Sequence, residues 1–355
     1  MSKNEEKNCR LGVVGGSALL EGVMMKHGDR YALAVRTPDG SIAVEDGEFR
    51  SLRKKNKFFD LPFVRGIVNM IESMVLSTRT LERSAVLAGV DEEEVKREEE
   101  KTGKKTNWNA VFAVVTVISI ILGFALSIAL FVFLPQFLTR GIEKLSGASL
   151  GVWKNVIEGF VKVLIFVGYL SVVLLMKEIR TTFMYHGAEH KTIFCYEAGV
   201  ELTPENVKNF RRFHPRCGTS FLFIVILISI AISFLPIFNW DQPIQRFLIK
   251  LAILPITVGL SYECIRLAGK HENVFTRILS APGLWMQRIT TREPTLEQIE
   301  CAIHALKCSM PDEFPDYVKP VLSTAEEAPQ SDEASAQSEE TPAQSEGGEQ
   351  ISDGE

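Results

Sequence analysis

Four stretches of the 355-residue chain carry few or no charges over a length that can cross a bilayer. They are residues 110–134, 156–176, 219–238 and 247–268. Runs of more than about 18 mainly apolar residues are typical of transmembrane helices. The second stretch contains Glu158 and Lys162, which are one helical turn apart and can pair near one membrane surface. The pattern predicts a mainly α protein with a four-helix transmembrane bundle.

The loops that join these stretches differ in their content of basic residues. The loop at 177–218, between the second and third stretches, is the most basic, with Lys177, Arg180, Lys191, Lys208, Arg211, Arg212 and Arg216. Basic loops remain on the cytoplasmic side during insertion. We therefore expect a multi-pass protein of the plasma membrane, with the lipid bilayer as a partner and with this loop and both termini in the cytoplasm.

Residues 1–105 are expected to form a small cytosolic α+β portion. Residues 31–36 and 41–45 flank Thr37-Pro38-Asp39-Gly40, a type I turn signature, and this predicts a hairpin. Nearer the N-terminus, three glycines lack the spacing of a phosphate-binding loop and are interpreted as a tight turn before a helix: Gly12, Gly15 and Gly16.

Between residue 62 and about residue 88, apolar side chains recur at helical spacing. Charged residues interrupt them too often for a membrane span, which predicts an amphipathic helix lying on the membrane or on the bundle. Residues 91–105 form a charged linker that leads to the first span.

Residues 106–310 are assigned to the membrane bundle, its cytosolic loop and a C-terminal amphipathic helix. Thr295 and Gln298 form a capping-box signature for a helix that runs to about Lys307. Residues 316–355 are rich in Ser, Glu, Ala, Gln and Pro, so we expect a disordered acidic tail.

The net charge of -5 hides a division between this tail and the rest of the chain. Residues 326–355 contain ten acids and no Lys or Arg, so the remaining body carries -5 + 10 = +5. A modestly basic body suits a protein that lies against anionic lipid. The sequence lacks the concentrated basic face with interleaved aromatics that nucleic-acid binding requires, so no nucleic-acid partner is expected.

The clearest chemical motif is Tyr185-His186-Gly187-Ala188-Glu189-His190 in the cytosolic loop. On a helix, His186 and His190 lie one turn apart on the same face, so both imidazoles can reach one metal ion. Glu189 then lies beside them, where it can accept a proton from water in a hydrolytic reaction. This order of residues is the H-x-x-E-H motif of one class of zinc peptidases, although a solvated pair of helix histidines has the same spacing.

Further ligands are needed to complete such a site. His214-Pro215-Arg216-Cys217 precedes the third span and adds two ligand types suited to zinc, if the helix of the second span runs on through His190. Glu263, near the cytoplasmic end of the fourth span, is an alternative third ligand, although it can instead pair with Arg266. We therefore expect a divalent metal, zinc by its ligand types.

The number of ligands decides what such a metal does. If His186, His190, His214 and Cys217 all bind, the tetrahedral site is closed and structural. If three bind, the fourth position is open and Glu189 becomes the predicted catalytic residue. The hypotheses are a metal-dependent hydrolase acting on a membrane-associated substrate, or a non-enzymatic assembly, scaffold or transport protein with a structural metal site.

Several segments together resemble the YqhQ-like family, a bacterial family of unknown function. They are GGSALLEGVMM, RTPDG, LPFVRGIVNMIES, HGAEHKTIFCYEAG, FHPRCGTSF, SYE and PGLWMQRITTREPT, and the resemblance covers residues 11–306. It implies a multi-pass membrane protein and a metal-dependent enzyme. It also implies that the site is built from His186, Glu189, His190, His214 and Cys217, and it implies no particular substrate.

Overall fold

The computed structural model describes residues 10–89, 118–119, 121–147, 149–151, 153–235, 242–270 and 274–320. The predicted linker at 91–105, the first part of the first span and nearly all of the acidic tail lie outside these residues. Within them the chain is mainly helical, with an antiparallel sheet of four strands near the N-terminus. The strands are β1 (Val14–Leu19), β2 (Gly22–His27), β3 (Arg30–Arg36) and β4 (Ile42–Glu48).

The helices follow the sheet in the sequence. They are α1 (Leu52–Lys55), α2 (Val64–Leu87), α3 (Ile121–Ser146), α4 (Trp153–Val173), α5 (Lys177–Glu197), α6 (Pro204–Lys208), α7 (Gly218–Ile232), α8 (Pro243–Lys270), α9 (Val274–Thr290) and α10 (Leu296–Ser309). The capping box predicted for α10 is confirmed, because the side chains of Thr295 and Gln298 bond to each other's backbone N–H groups.

The sheet has the simplest order, β1-β2-β3-β4, with each strand paired to the next in sequence. The predicted hairpin is confirmed as β3 and β4, which pair from Arg30 with Glu48 to Arg36 with Ile42. The predicted helix after the N-terminal glycines is wrong. Gly15 and Gly16 lie within β1, whose residues pair with β2 from Val14 with His27 to Leu19 with Gly22.

Helices cover both faces of the sheet, and this explains why β2 has no alternating pattern. Helices α5 and α10 pack on one face, where Val23, Met25 and Ala34 join their apolar residues in one core. Helix α2 packs on the other face, where Leu76 contacts a second cluster made by Leu19, Met24, Leu33 and Val35. Strands that are buried on both faces read as continuous apolar runs.

Helix α2 confirms the predicted amphipathic helix. Its buried residues recur at helical spacing, and they include Glu72, whose carboxylate accepts hydrogen bonds from the Ser51 hydroxyl and the Leu52 backbone N–H. Its N-terminal part crosses α8 closely, because Gly66 lies against Tyr262 without room for a Cβ. Helix α2 thus joins the sheet to the apolar helices.

Three helices within the described residues are long and apolar enough to cross a membrane: α3, α4 and residues Pro243–Leu267 of α8. Helix α7 is apolar but has only 15 residues in the described part of the chain. The assumption that the helix of the second span runs on through His190 is wrong. Helix α4 ends at Val173, and α5 begins at Lys177 after Met176, which has an extended backbone.

Candidate metal centre

The H-x-x-E-H motif lies in the second half of α5, where the helix is buried between β1 and the segment that follows α9. Gly187 makes this close packing possible, since a Cβ at that position would overlap the carbonyl oxygen of Arg292. The Arg292 backbone N–H also donates a 2.8 Å hydrogen bond to the carbonyl of Phe183. The end of α9 is thereby fixed beside the motif.

His186 and His190 lie on one face of α5 with their ring centroids 4.4 Å apart. In each ring, Nδ1 lies next to a backbone carbonyl: Thr290 at 2.8 Å for His186 and Arg212 at 2.5 Å for His190. Because a carbonyl only accepts, each Nδ1 carries the proton and donates it. Each Nε2 therefore keeps a free lone pair, as in the histidines of most zinc sites.

Cys217 completes a group of three metal-ligand types. Its Sγ lies 3.2 Å from Nε2 of His186, and the ligand atoms of His186, His190 and Cys217 all lie within 4.8 Å of one another. Burial alone would raise the pKa of the Cys217 thiol. Contacts from His190 and Thr219 outweigh burial and leave that pKa below its usual value. The thiol is thus biased towards the thiolate, the form that binds metal.

A glutamine from α9 holds the turn that carries Cys217. Gln287 is fully buried, accepts a 2.7 Å hydrogen bond from the His214 backbone N–H, and donates to the His214 carbonyl and the Ser220 hydroxyl at 2.7 and 3.0 Å. Helices α7 and α9 also approach closely at Gly283, where a Cβ would meet Ser220. These contacts fix residues 214–220 in front of the two histidines.

The structure places His214 beside this group, but the ring nitrogens of His214 face other residues. The His214 and His190 rings lie 5.5 Å apart. Nδ1 of His214 accepts from the Arg216 backbone N–H at 3.3 Å, and Nε2 points towards Glu197 at 4.0 Å. Burial lowers the pKa of His214. His214 is therefore not among the three residues whose ligand atoms come together in the described chain.

Glu263 does not lie in this group either. Its carboxylate forms a two-point ion pair with Arg65 of α2, with Oε1 2.6 Å from Nε, while Arg266 lies 3.8 Å away. The expected alternatives for Glu263 were a metal ligand or a partner of Arg266. The pairing with Arg266 is confirmed at 3.8 Å, Arg65 of α2 is the closer partner, and Glu263 is not a member of the ligand group.

Glu189 points from α5 towards β1. It is 5% exposed, and burial raises the pKa of its carboxyl to about 8. The charges of both His186 and Cys217 act on it, so it borders the group of ligands. A Cβ added to Gly16 would lie 2.8 Å from Oε1 of Glu189. Gly16 is itself exposed, so the carboxylate lies next to a solvent-accessible strand.

Sequence reasoning missed the residues that position the site rather than form it. Gln287 and the carbonyl of Thr290 act from α9, and Gly16 acts from β1. Glu197 is a further example, because it binds both the Gly12 backbone N–H and the guanidinium of Arg216. Only their place in segments shared with the resembled family, such as PGLWMQRITTREPT, was a signal for them.

The donor set fits a zinc-type ion, with two imidazole nitrogens and one sulfur within 4.8 Å of one another. Among known proteins, a family described as "Protein of unknown function (DUF1385)" matches residues 61–312. The "Uncharacterized protein YqhQ" of Bacillus subtilis (strain 168) is 35% identical over 301 residues, which are 82% of this chain and 90% of that protein. No solved structure matches the chain.

Proposed function

The chain belongs to the DUF1385 family of proteins of unknown function, and we propose that it is an integral membrane protein with a catalytic metal centre for hydrolysis at the cytoplasmic membrane surface. The observation that carries the proposal is the orientation of two imidazoles. Both His186 and His190 donate Nδ1–H to backbone carbonyls, which leaves both Nε2 atoms free beside the sulfur of Cys217.

In this proposal, His186, His190 and Cys217 hold the metal. Three protein ligands leave a fourth tetrahedral position for water or substrate, which is the pattern of catalytic zinc sites. When bound, a zinc-type ion supplies Lewis-acid chemistry that activates water or polarises a carbonyl. The Nδ1 hydrogen bonds fix both rings, so the chain positions its ligands without reorganisation.

Glu189 is the proposed proton acceptor. Its carboxylate borders the ligands and is shielded from bulk water, and within the described residues no hydrogen-bond donor occupies it. The raised pKa of Glu189 would fall beside a bound metal cation, and the ionised carboxylate could then take a proton from water as the water attacks an ester or amide carbonyl. The exposed edge at Gly16, beside Glu189, is where a membrane-associated substrate would approach.

We also propose four membrane crossings. Residues of β1–β3, α5 and α10 share one core, so they lie on one side of the membrane and the chain between them crosses an even number of times. Helices α3 and α4 provide two crossings, and α8 provides a third. Helix α7 is the apolar helix available for the return, and uncharged sequence continues beyond it to residue 240.

The basic loops orient these crossings with the sheet, the metal centre and both termini in the cytoplasm of the plasma membrane. Residues Lys177, Arg180, Lys191, Lys208, Arg211, Arg212 and Arg216 all lie between α4 and α7. The exposed apolar side chains of α2, such as Ile71 and Met74, support contact of this helix with lipid or with another membrane-associated chain.

One observation favours a second candidate function. His190 and Cys217 are almost completely buried, and His214 lies close enough to become a fourth ligand if its ring turned. A closed site of four ligands would be structural and would fix residues 177–218 against the bundle. The protein would then serve assembly, scaffolding or transport.

Substitution of Glu189 separates the two candidates. The purified full chain is assayed for bound metal by elemental analysis and X-ray absorption, and each variant is tested for complementation of a deletion strain with a measurable phenotype. In the catalytic case, Glu189→Gln keeps the metal and the fold but does not complement, because an amide cannot accept the proton. Glu300→Gln, an exposed change on α10, is the matched control and should complement.

Full complementation by Glu189→Gln with metal retained would reject the catalytic proposal in favour of the structural site. Absence of metal from the wild-type chain, when it is purified without chelator and after addition of zinc, would reject both. His186→Ala should abolish metal binding in either case, whereas His304→Ala, on α10 and bonded to Tyr317, should not.

A further inference from the structure

A second charged cluster lies inside the apolar helices, away from the metal centre. Glu158 of α4 is 2% exposed, and three cations bind it. Nη2 of Arg246 lies 2.6 Å from Oε2, and the Nζ atoms of Lys250 and Lys162 lie 2.8 and 2.9 Å from Oε1. Arg246 also donates to Asn155 at 3.0 Å. The cluster therefore links the first turns of α4 and α8.

This cluster lies at the opposite end of the bundle from the metal centre. Glu158 is near the start of α4, which runs to Val173 before the chain enters α5. On α8, 17 residues separate Arg246 from Glu263, which is paired with α2 beside the sheet. At about 1.5 Å per residue, that separation is roughly 25 Å, close to the thickness of a bilayer core.

The cations outnumber the acids at this end. Three cations bind Glu158, so these four side chains together carry 3 - 1 = +2. Even if Asp241, which precedes α8 in the sequence, is counted against them, the charge is 3 - 2 = +1. Uncompensated charge among membrane helices is costly, and such residues mark binding sites more often than simple packing contacts.

Helix α3 provides a second observation that points to an anion. Nε2 of Gln136 is buried and has no acceptor among the described residues. Gln136 and Arg140 are one turn apart, so they share a face of α3, and Phe133 contacts Phe247 with ring centroids 6.1 Å apart at the start of α8. A buried amide N–H group without an acceptor costs free energy that a bound oxyanion would recover.

We propose that this cluster binds a phosphate group at the end of the bundle remote from the metal centre. Arg246 and Glu158 are buried and form the floor of the site. The side chains of Lys162 and Lys250 are 17% and 15% exposed, so both are partly accessible from outside the bundle. Glu158 holds the cations in place, and the charge that it leaves uncompensated is met by the phosphate. The phosphate comes from a lipid headgroup or from solution.

The depth of the cluster favours a lipid headgroup. Arg246 and Lys250 lie in the first two turns of α8, and Glu158 lies in the second turn of α4, so the cluster is within reach of the interface where lipid phosphates lie. Basic pockets between transmembrane helices recognise anionic headgroups in this way. The proposal uses none of the metal-centre residues and is independent of the hydrolytic function.

The test uses the purified full chain in a neutral detergent. Native mass spectrometry and thermal unfolding are measured with phosphatidylglycerol, with phosphatidylcholine of the same acyl chains, and with inorganic phosphate. We expect bound phosphatidylglycerol and a higher Tm with that lipid than with phosphatidylcholine. Lys162→Gln and Lys250→Gln should each weaken binding by about tenfold, because each removes a charged hydrogen bond but leaves the Arg246–Glu158 pair intact.

Lys144→Gln is the matched control, because Lys144 is exposed at the same end of α3 and should leave lipid binding unchanged. Without lipid, the double variant Lys162→Gln/Lys250→Gln should be less stable than the wild type, because it loses two ion pairs with the buried Glu158. Its lipid binding is therefore compared at a temperature at which both chains are folded. Stabilisation by inorganic phosphate to the same Tm as with phosphatidylglycerol would support a phosphate site filled from solution.

Wild-type lipid binding by the double variant would overturn the proposal. Equal stabilisation by the two lipids, with no effect of inorganic phosphate, would also overturn it. If the lysine substitutions destabilise the lipid-free chain and leave lipid binding unchanged, the cluster only stabilises the packing of α4 against α8.

Discussion

The three histidines around Cys217 differ in what their ring nitrogens contact. His186 and His190 donate from Nδ1 to the carbonyls of Thr290 and Arg212, so Nε2 is the free nitrogen in both. His214 accepts at Nδ1 from the Arg216 backbone N–H, and its Nε2 faces the Arg216 guanidinium at 3.5 Å and Glu197 at 4.0 Å. Three residues with the same side chain therefore have two different roles.

The first prediction follows from this difference. Cys217→Ser should lower metal affinity by more than about 100-fold, because it removes a ligand rather than a supporting contact, whose loss costs about 10–100-fold. His214→Ala should retain one metal per chain, since its Nε2 is directed at Glu197. Metal content after dialysis against a graded chelator measures both. Equal loss of metal from the two variants would show that His214 is a ligand.

At the scale of elements, the site depends on two glycines that let α5 pack closely against its neighbours. Gly16 leaves room for the Glu189 carboxylate, and Gly187 leaves room for the segment after α9. Neither glycine has a positive φ angle in the described backbone, so space and not backbone conformation is the requirement at both positions. A glycine of β1 thus makes room for a side chain of α5, and a glycine of α5 makes room for the segment after α9.

Neighbouring glycines of β1 give a matched test of this packing. A Cβ at Gly16 would lie 2.8 Å from both Oε1 of Glu189 and the carbonyl oxygen of Met24, whereas a Cβ at Gly15 would meet nothing within 4 Å. Gly16→Ala should therefore lower the free energy of unfolding by about 1–3 kcal/mol and impair complementation. Gly15→Ala should change it by less than about 0.5 kcal/mol. Equal thermal denaturation curves for the two variants would contradict the packing shown here.

At the scale of the whole molecule, the sheet portion is assembled from segments far apart in sequence. Residues of β1–β3, α5 and α10 form one core, and the apolar helices are inserted between these segments. Helix α2 connects the two parts through its crossing with α8 and the Arg65–Glu263 ion pair. The metal centre is formed where residues that follow α4, precede α7 and follow α9 converge.

The third prediction concerns the membrane topology of the whole chain. Reporter fusions at Gly151, between α3 and α4, should report an extracytoplasmic position, and fusions at Gly199, after α5, should report a cytoplasmic one. The physical reason is the excess of Lys and Arg between α4 and α7. A fusion after Pro320 should match Gly199, because α10 packs in the same core as α5. Opposite positions for Gly199 and Pro320 would exclude an even number of crossings.

The sequence by itself determined the features that depend on neighbours along the chain. Apolar runs identified α3, α4 and α8, turn chemistry identified the β3–β4 hairpin, and the capping box located the start of α10. The spacing of His186, Glu189 and His190 placed two imidazoles on one helix face. All of these are local, because helical period, turn geometry and hydrophobic length are set by residues a few positions apart.

Only the tertiary structure decided the features that depend on contacts between distant segments. Strand β2 escaped prediction because helices cover both faces of the sheet and remove the alternation that reveals a strand. Cys217 joined the two histidines, and His214 and Glu263 did not, because Gln287, Glu197 and Arg65 direct them from other elements. Ligand geometry is set by these long-range hydrogen bonds and ion pairs, which leave no periodic trace in the sequence.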